Sequence, residues 1–223
     1  MINTLFVTGT DTSCGKTYVT SELVIQLTKL GIKAAGMKPI ATGDFEDGNP
    51  TETSDIALIR NSSSLDLSID HVNQFRFPMP CSPNIAAELC EIDITVEDVV
   101  LATKKLQKLS DVLIIEGVGG WHVPLSSRLL LSDLVKILNC PVVLVVGVKL
   151  GCINHALLTT KVIQQEGHNL IGWIANLTDP GLIHHDKVIK TIEGFLDIPM
   201  LAKFEYNKGI ELKTTRLYEK FFI

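Results

Sequence analysis

What the sequence lacks narrows its function first. Cysteine is sparse and scattered: Cys14, Cys81, Cys90, Cys140 and Cys152 are odd in number and form no C-x-x-C pair. Neither a disulfide framework nor a thiolate zinc site is indicated, and a reducing cytoplasm is the expected compartment. No run of lysine or arginine occurs, and 20 basic against 25 acidic residues leave a net charge of -5. Such a chain offers no footprint for nucleic acid or an anionic membrane surface. The longest apolar stretch, around Pro141 to Val148, falls far short of the roughly 18 to 20 residues that span a bilayer. The start, Met1-Ile2-Asn3-Thr4, has neither a basic region nor a cleavable apolar segment and reads as the approach to a first strand. There is no G-x-S-x-G elbow and no cysteine–histidine motif, so covalent catalysis is disfavoured. His155 reads as structural or solvated, and His184-His185 as a helix face, with no acid or cysteine at metal-ligand spacing around that pair.

What is present is an alternation. Apolar runs of strand length lie at Leu5 to Thr8, Ala34 to Lys38, Val112 to Glu116, Val142 to Val148, Leu170 to Asn176 and Met200 to Phe204. Amphipathic stretches fall between them, at about Lys16 to Leu30, Thr95 to Leu109, Ser132 to Asn139, Asn154 to Gln165 and His184 to Leu196. Several of the apolar runs are hydrophobic on both faces, as in a parallel sheet covered by helices on each side. The pattern predicts a doubly wound, mainly parallel α/β fold, with residues 1–223 forming a single domain. Gly31 and Gly167 are the expected helix stops, Thr42 to Ser54 an exposed loop, and Ile210 to Ile223 an amphipathic closing helix.

The first strand leads into Gly9-Thr10-Asp11-Thr12-Ser13-Cys14-Gly15-Lys16-Thr17, and a helix opens with Tyr18. Strand, glycine turn and helix N-terminus occur in the order a phosphate cradle requires. Backbone N–H groups and the helix dipole face the phosphates, Lys16 reaches the outer ones, and the Thr17 hydroxyl ligates Mg²⁺. The loop holds one residue more between its glycines than the G-x-x-x-x-G-K-[ST] pattern. Cys14 reads as a small loop residue and not as a nucleophile.

Val112-Leu113-Ile114-Ile115-Glu116-Gly117-Val118-Gly119-Gly120 is a buried strand ending in a carboxylate and a glycine turn, like a Walker B strand whose acid holds Mg²⁺. Asp55 is either a second metal carboxylate or a first-turn acid that stabilises its helix through the dipole. Lys38 stands at the carboxyl end of the second strand, where sites form in parallel sheets, and either meets an anion there or reaches solvent. Thr42-Gly43 offers a hydroxyl and backbone N–H groups to a polar ligand. The turn Gly151-Cys152-Ile153-Asn154 either binds a second anion or is an ordinary N-cap built on Asn154.

These segments, with Met37-Lys38-Pro39, Ser82-Pro83 and Val146 through Ala156, together resemble dethiobiotin synthetases in order from Thr4 to about Asn176. The lengthened P-loop belongs to that family's pattern. The resemblance implies ATP-dependent ring closure of 7,8-diaminononanoate with CO₂ to dethiobiotin, ADP and phosphate, through a carbamate and a carbamic–phosphoric anhydride. Lys16, Lys38 and Thr12 would be the catalytic residues. Ser13, Cys14, Gly15, Lys16, Thr17 and Tyr18, with Gly117, Val118, Gly119 and Asn176, would surround ATP, Asn176 at the adenine. Thr17, Asp55 and Glu116 would hold Mg²⁺. Thr12, Lys38 and Thr42 would contact the substrate's reacting end. Gly151, Cys152, Ile153 and Asn154 of a neighbouring subunit would receive its carboxylate, which implies a homodimer. The chain departs from the family at Thr42, where serine is frequent, at Asn84, where histidine is, and at Ala202 to Tyr206, in place of a Gly-x-Ile-Pro stretch around the base. A nucleotide-switched partitioning ATPase is the alternative; such proteins carry a second lysine where this chain has Thr10.

Overall fold

The computed structural model describes residues 3–43, 45–46, 49–206 and 210–211. In chain order the elements are β1 (Thr4–Gly9), α1 (Lys16–Lys29), β2 (Ala34–Met37), β3 (Ile40–Thr42), β4 (Phe45–Glu46), β5 (Asn49–Pro50), α2 (Asp55–Ser62), α3 (Ile69–Val72), β6 (Phe75–Phe77) and α4 (Pro83–Leu89). There follow α5 (Val96–Leu109), β7 (Val112–Glu116), α6 (Leu131–Leu138), β8 (Val142–Gly147), α7 (Cys152–Gln165), β9 (Leu170–Asn176), α8 (His185–Phe195), β10 (Met200–Phe204) and β11 (Ile210–Glu211). Seven strands form one sheet in the order β11-β10-β9-β8-β1-β7-β2. All its pairings are parallel except the antiparallel edge pair of β10 with β11.

The central strands are buried along their whole length, and alternate side chains feed two cores. Phe6, Leu113, Ile115, Val142, Leu144 and Val146 join one core, against Leu106 of α5, Leu134 of α6, Ile163 of α7 and Ile192 of α8. Leu5, Val7, Ile114, Val143 and Val145 join the other, against Val19, Leu23 and Leu27 of α1. Apolar side chains on both faces of each strand are what a sheet between two helical layers requires, so the expected doubly wound α/β fold is the observed one. Because the strands run parallel, their carboxyl ends share one rim, and the residues just after β1, β2, β7, β8 and β9 gather there.

The expected stops hold: Gly31 (φ 81°) and Gly167 (φ 78°) each follow a helix in the left-handed conformation. Other expectations need correction. The second strand ends at Met37, because Pro39 has no N–H to continue the ladder. α6 and α7 each begin earlier than their patterns suggest, at Leu131 and Cys152. The cap of α7 is Gly151 (φ 90°) with no side-chain capping bond, so Asn154 is not an N-cap. Thr42 closes a strand, β3, which pairs in parallel with β6 as a small separate sheet, and Phe45–Glu46 pairs with Asn49–Pro50. Ile210–Glu211 is a strand and not the start of a helix; the remainder of the expected closing helix lies outside the described residues. Among the described residues no helix is long and apolar enough to cross a membrane.

Candidate active site

The P-loop runs from β1 to α1 across the middle of the rim. Thr10 N–H donates to the Val145 carbonyl at 3.0 Å, which pins the loop to β8. Positive φ at Ser13 (62°) and Gly15 (87°), on either side of Cys14, bends the loop in the alternating way that turns successive N–H groups into one concavity. Cys14 is fully buried. A Cβ on Gly147 of β8 would stand 2.9 Å from the Cys14 Cα, so the strand can run beneath the loop only without a side chain there. Lys16 is buried and donates to the Asp11 carbonyl at 3.1 Å, curled back over the loop.

Beside the loop lies a compact charge cluster. The Glu116 carboxylate, the last residue of β7, is fully buried. Its Oε1 accepts from Lys38 Nζ at 2.8 Å and from the Thr17 hydroxyl at 2.9 Å. Lys38, itself buried, also donates to Asp55 Oδ2. Asp55 begins α2, whose cap is Ser54 accepting from Ala57 N–H at 3.2 Å. Asp55 is thus a first-turn acid of its helix, and its carboxylate also faces Lys38. Burial by itself would lower the Lys38 ammonium's pKa, but the Glu116 and Asp55 carboxylates outweigh it and hold the value above the ordinary lysine range. Burial would raise the Asp55 carboxyl, and Lys38 more than reverses that, leaving it below the usual range. Among the described residues, Glu116 Oε2 is buried without a partner. One hydroxyl and two carboxylates, with an oxygen to spare, are hard donors that suit Mg²⁺ and not a soft metal.

This cluster opens into a cavity of about 680 Å³ lined by Thr12, Ser13, Gly15, Lys16, Thr17, Lys38, Thr42 and Asp55 on one side. Pro80 through Pro83 and the turn after β7, at Glu116, Val118, Gly119, Gly120 and Val123, complete it. Most of the predicted residues thus share one space. Gly117 sits behind it, where a Cβ would meet Phe6 and Leu131. Tyr18 lies outside, half exposed and edge-on to Phe204, with ring centroids 5.6 Å apart. Asn176 is buried, and its side-chain N–H donates to the Cys14 carbonyl at 3.0 Å, so it braces the P-loop from below.

Gly151 through Asn154 do not line the cavity. Just before them in the chain is an ion pair that sequence reasoning missed. Lys149 meets Asp11 of the P-loop at 2.6 Å, and that hydrogen bond holds the Lys149 ammonium's pKa above its usual value. At the other end of α7, Glu166 accepts from the Trp121 indole at 2.7 Å and lies 2.6 Å from His122 Nε2, anchoring the turn after β7. No short-range pattern marks these pairs, since each joins residues far apart in sequence.

An AAA-domain family model matches residues 3–214. The chain is 39% identical to the ATP-dependent dethiobiotin synthetase of Aliivibrio salmonicida over 98% of its own length and 96% of that protein's. The chain belongs to the dethiobiotin synthetase family. A second dethiobiotin synthetase, from Vibrio campbellii, is 38% identical over 92% of this chain and 91% of its own. Among solved structures, the septum site-determining protein MinD of Pyrococcus horikoshii, complexed with Mg-ADP, aligns with a TM-score of 0.54 at 16% identity, covering 91% of this chain and 81% of that one. A ParA family ATPase from Chlorobium tepidum aligns with the same score at 15% identity over 93% and 85%. These two likenesses bear on the fold alone. At the segment where the chain departs from the dethiobiotin synthetase pattern, Lys203 pairs with Glu205 at 2.7 Å and with Asp186 of α8 at 3.1 Å, and Phe204 is fully buried beneath Tyr18.

Proposed function

We propose that this chain, acting as a single P-loop domain over residues 1–223, closes the ureido ring of dethiobiotin from 7,8-diaminononanoate, CO₂ and ATP. One amine adds to CO₂ and loses a proton, giving a carbamate. A carbamate oxygen then attacks the γ-phosphorus, expelling ADP and leaving a carbamic–phosphoric anhydride. The second amine attacks the anhydride's carbonyl carbon, phosphate departs with the C–O bond, and the ring nitrogen loses its proton. No protein nucleophile is needed, so catalysis is a matter of positioning and charge stabilisation.

The observation that carries this reading is the convergence of Lys38, Thr17, Asp55 and Glu116 beside the P-loop in one cavity that also presents Thr12 and Thr42. In it, Lys16 neutralises the outer phosphates, Lys38 stabilises the carbamate and the transferring phosphoryl group, and Thr12 and Thr42 orient the nitrogens and carbamate. Thr17, Asp55 and Glu116 would hold Mg²⁺, which neutralises phosphate charge when bound. Asn176, whose side-chain N–H donates to the Cys14 carbonyl, would hydrogen-bond the adenine. Gly151 to Asn154 would take the nonanoate carboxylate of a neighbouring subunit's substrate, making the working unit a cytoplasmic homodimer.

Purified protein with diaminononanoate, MgATP and labelled bicarbonate is expected to carry label into a cyclic urea. ATP hydrolysis that ignores the diamine, without labelled product, points instead to the nucleotide-switched ATPase.

The rate should also climb as pH rises above neutral, because the attacking amines must be unprotonated. Lys38 cannot be the source of that rise. A group whose pKa is raised in the folded protein keeps its proton until pH passes the raised value, so the Lys38 ammonium persists across the range. A turnover rate that only falls between neutral and mildly alkaline pH counts against the carbamate route.

A further inference from the structure

Asn73 belongs to none of the motifs above, yet it is fully buried in the short link between α3 and β6. Its amide nitrogen donates to two backbone carbonyls, Lys38 O at 2.7 Å and Phe75 O at 3.2 Å, while its Oδ1 is buried without a partner among the described residues. The two acceptors settle which way the amide faces, since only the nitrogen can donate. Around it the same link grips the neighbouring backbone. Lys38 N–H donates to Val72 O at 2.8 Å, and the N–H groups of Gln74 and Phe75 both donate to Pro39 O, at 3.1 and 2.9 Å.

This grip stands where the main sheet has let go. β2 pairs with β7 only as far as Met37 with Ile115, and Pro39 has no N–H to offer. The Lys38 peptide is therefore held from residues 72–75 and not by a strand neighbour. A leucine at position 73 would fill comparable volume without stranding an acceptor, but would take the side-chain donor away from the Lys38 carbonyl. What asparagine uniquely supplies is a donor to the Lys38 carbonyl. The lysine side chain is long, so a small tilt of its peptide becomes a large displacement of the ammonium. If Asp55 and Glu116 also held a metal ion, they would hold that ammonium less firmly, and its aim would depend more on the backbone.

We propose that Asn73 is a positioning residue for the ring-closing reaction, acting through the Lys38 peptide to aim the Lys38 ammonium. This rests on the reading of Lys38 as the group that stabilises the carbamate and the transferring phosphoryl.

The test is a double-mutant cycle in the full chain, with Asn73→Ala and Lys38→Ala, read by single-turnover formation of dethiobiotin with enzyme in excess. Asn73→Ala alone is expected to lower the single-turnover rate constant, and kcat in steady state, by about 10- to 100-fold, the scale of a misplaced catalytic group. The KM for MgATP should stay within about twofold, because the P-loop is untouched. In the Lys38→Ala background, Asn73→Ala should cost less than about a further twofold, since there is no ammonium left to aim. Asn73→Ser, which keeps one donor, should fall between wild type and alanine, and it carries the same cycle if the alanine variant does not fold. Losses that multiply in the double variant, or a raised KM with kcat retained, overturn the proposal for Asn73 while leaving Lys38 in place. Full activity of Lys38→Ala alone overturns the reading of Lys38 on which it rests.

Discussion

Lys38→Ala is expected to retain nucleotide binding within a few-fold and to lose ring closure by about 10²-fold or more, the scale seen when a preorganised charge stabiliser is removed. Among the described residues the buried ammonium donates to both carboxylates of the cluster and makes no hydrogen bond to the P-loop backbone. Its removal should therefore touch the reacting groups and spare the phosphate cradle. Calorimetry with ADP measures the first quantity, and incorporation of labelled bicarbonate measures the second. The variant should also be less stable without metal. Glu116 is fully buried, and a buried carboxylate stripped of its cation destabilises a protein by about 3 to 5 kcal/mol. Mg²⁺ with ADP should restore more of the thermal stability in Lys38→Ala than it adds to wild type, because the ion returns the missing charge. A variant that turns over at the wild-type rate removes Lys38 from the site.

Gly15→Ala is expected to weaken nucleotide binding by more than about 100-fold, for two additive reasons. Gly15 has φ 87°, and an L-residue forced into that region loses about 1 to 2 kcal/mol. A Cβ there would also stand 1.9 Å from the Asn176 side-chain nitrogen, far inside contact distance. Asn176 would have to leave, and with it the bond to the Cys14 carbonyl that braces the loop. Relieving the clash with Asn176→Gly in the same chain should recover only part of the loss, since the backbone strain and the missing brace remain. Calorimetric titration of both variants with MgADP separates the two contributions. Unchanged affinity in Gly15→Ala shows that the loop can be rebuilt around an alanine, and sinks the argument.

Much of this protein was determined by local sequence. Alternation of two-faced apolar runs with amphipathic stretches follows directly from strand and helix periodicity, and it specified the α/β sheet and most element boundaries to within a few residues. The P-loop was legible because strand, glycine turn, lysine and hydroxyl are contiguous, so the entire device fits in one stretch of chain. Glu116 was legible for a related reason, as an acid ending an otherwise apolar strand.

What only the tertiary structure decided is how distant residues pair. Asp55 could be read from sequence as a helix-stabilising acid or a metal carboxylate, and it took the meeting of β2, β7 and α2 to bring Lys38, Glu116 and Asp55 together. Asn73 with Lys38, Lys149 with Asp11, and Glu166 with Trp121 carry no local signature at all. A side-chain contact between elements depends on strand order, here β8-β1-β7-β2, and on what reaches the shared rim. Periodicity reports which face of an element is buried; it does not report which element will lie against it.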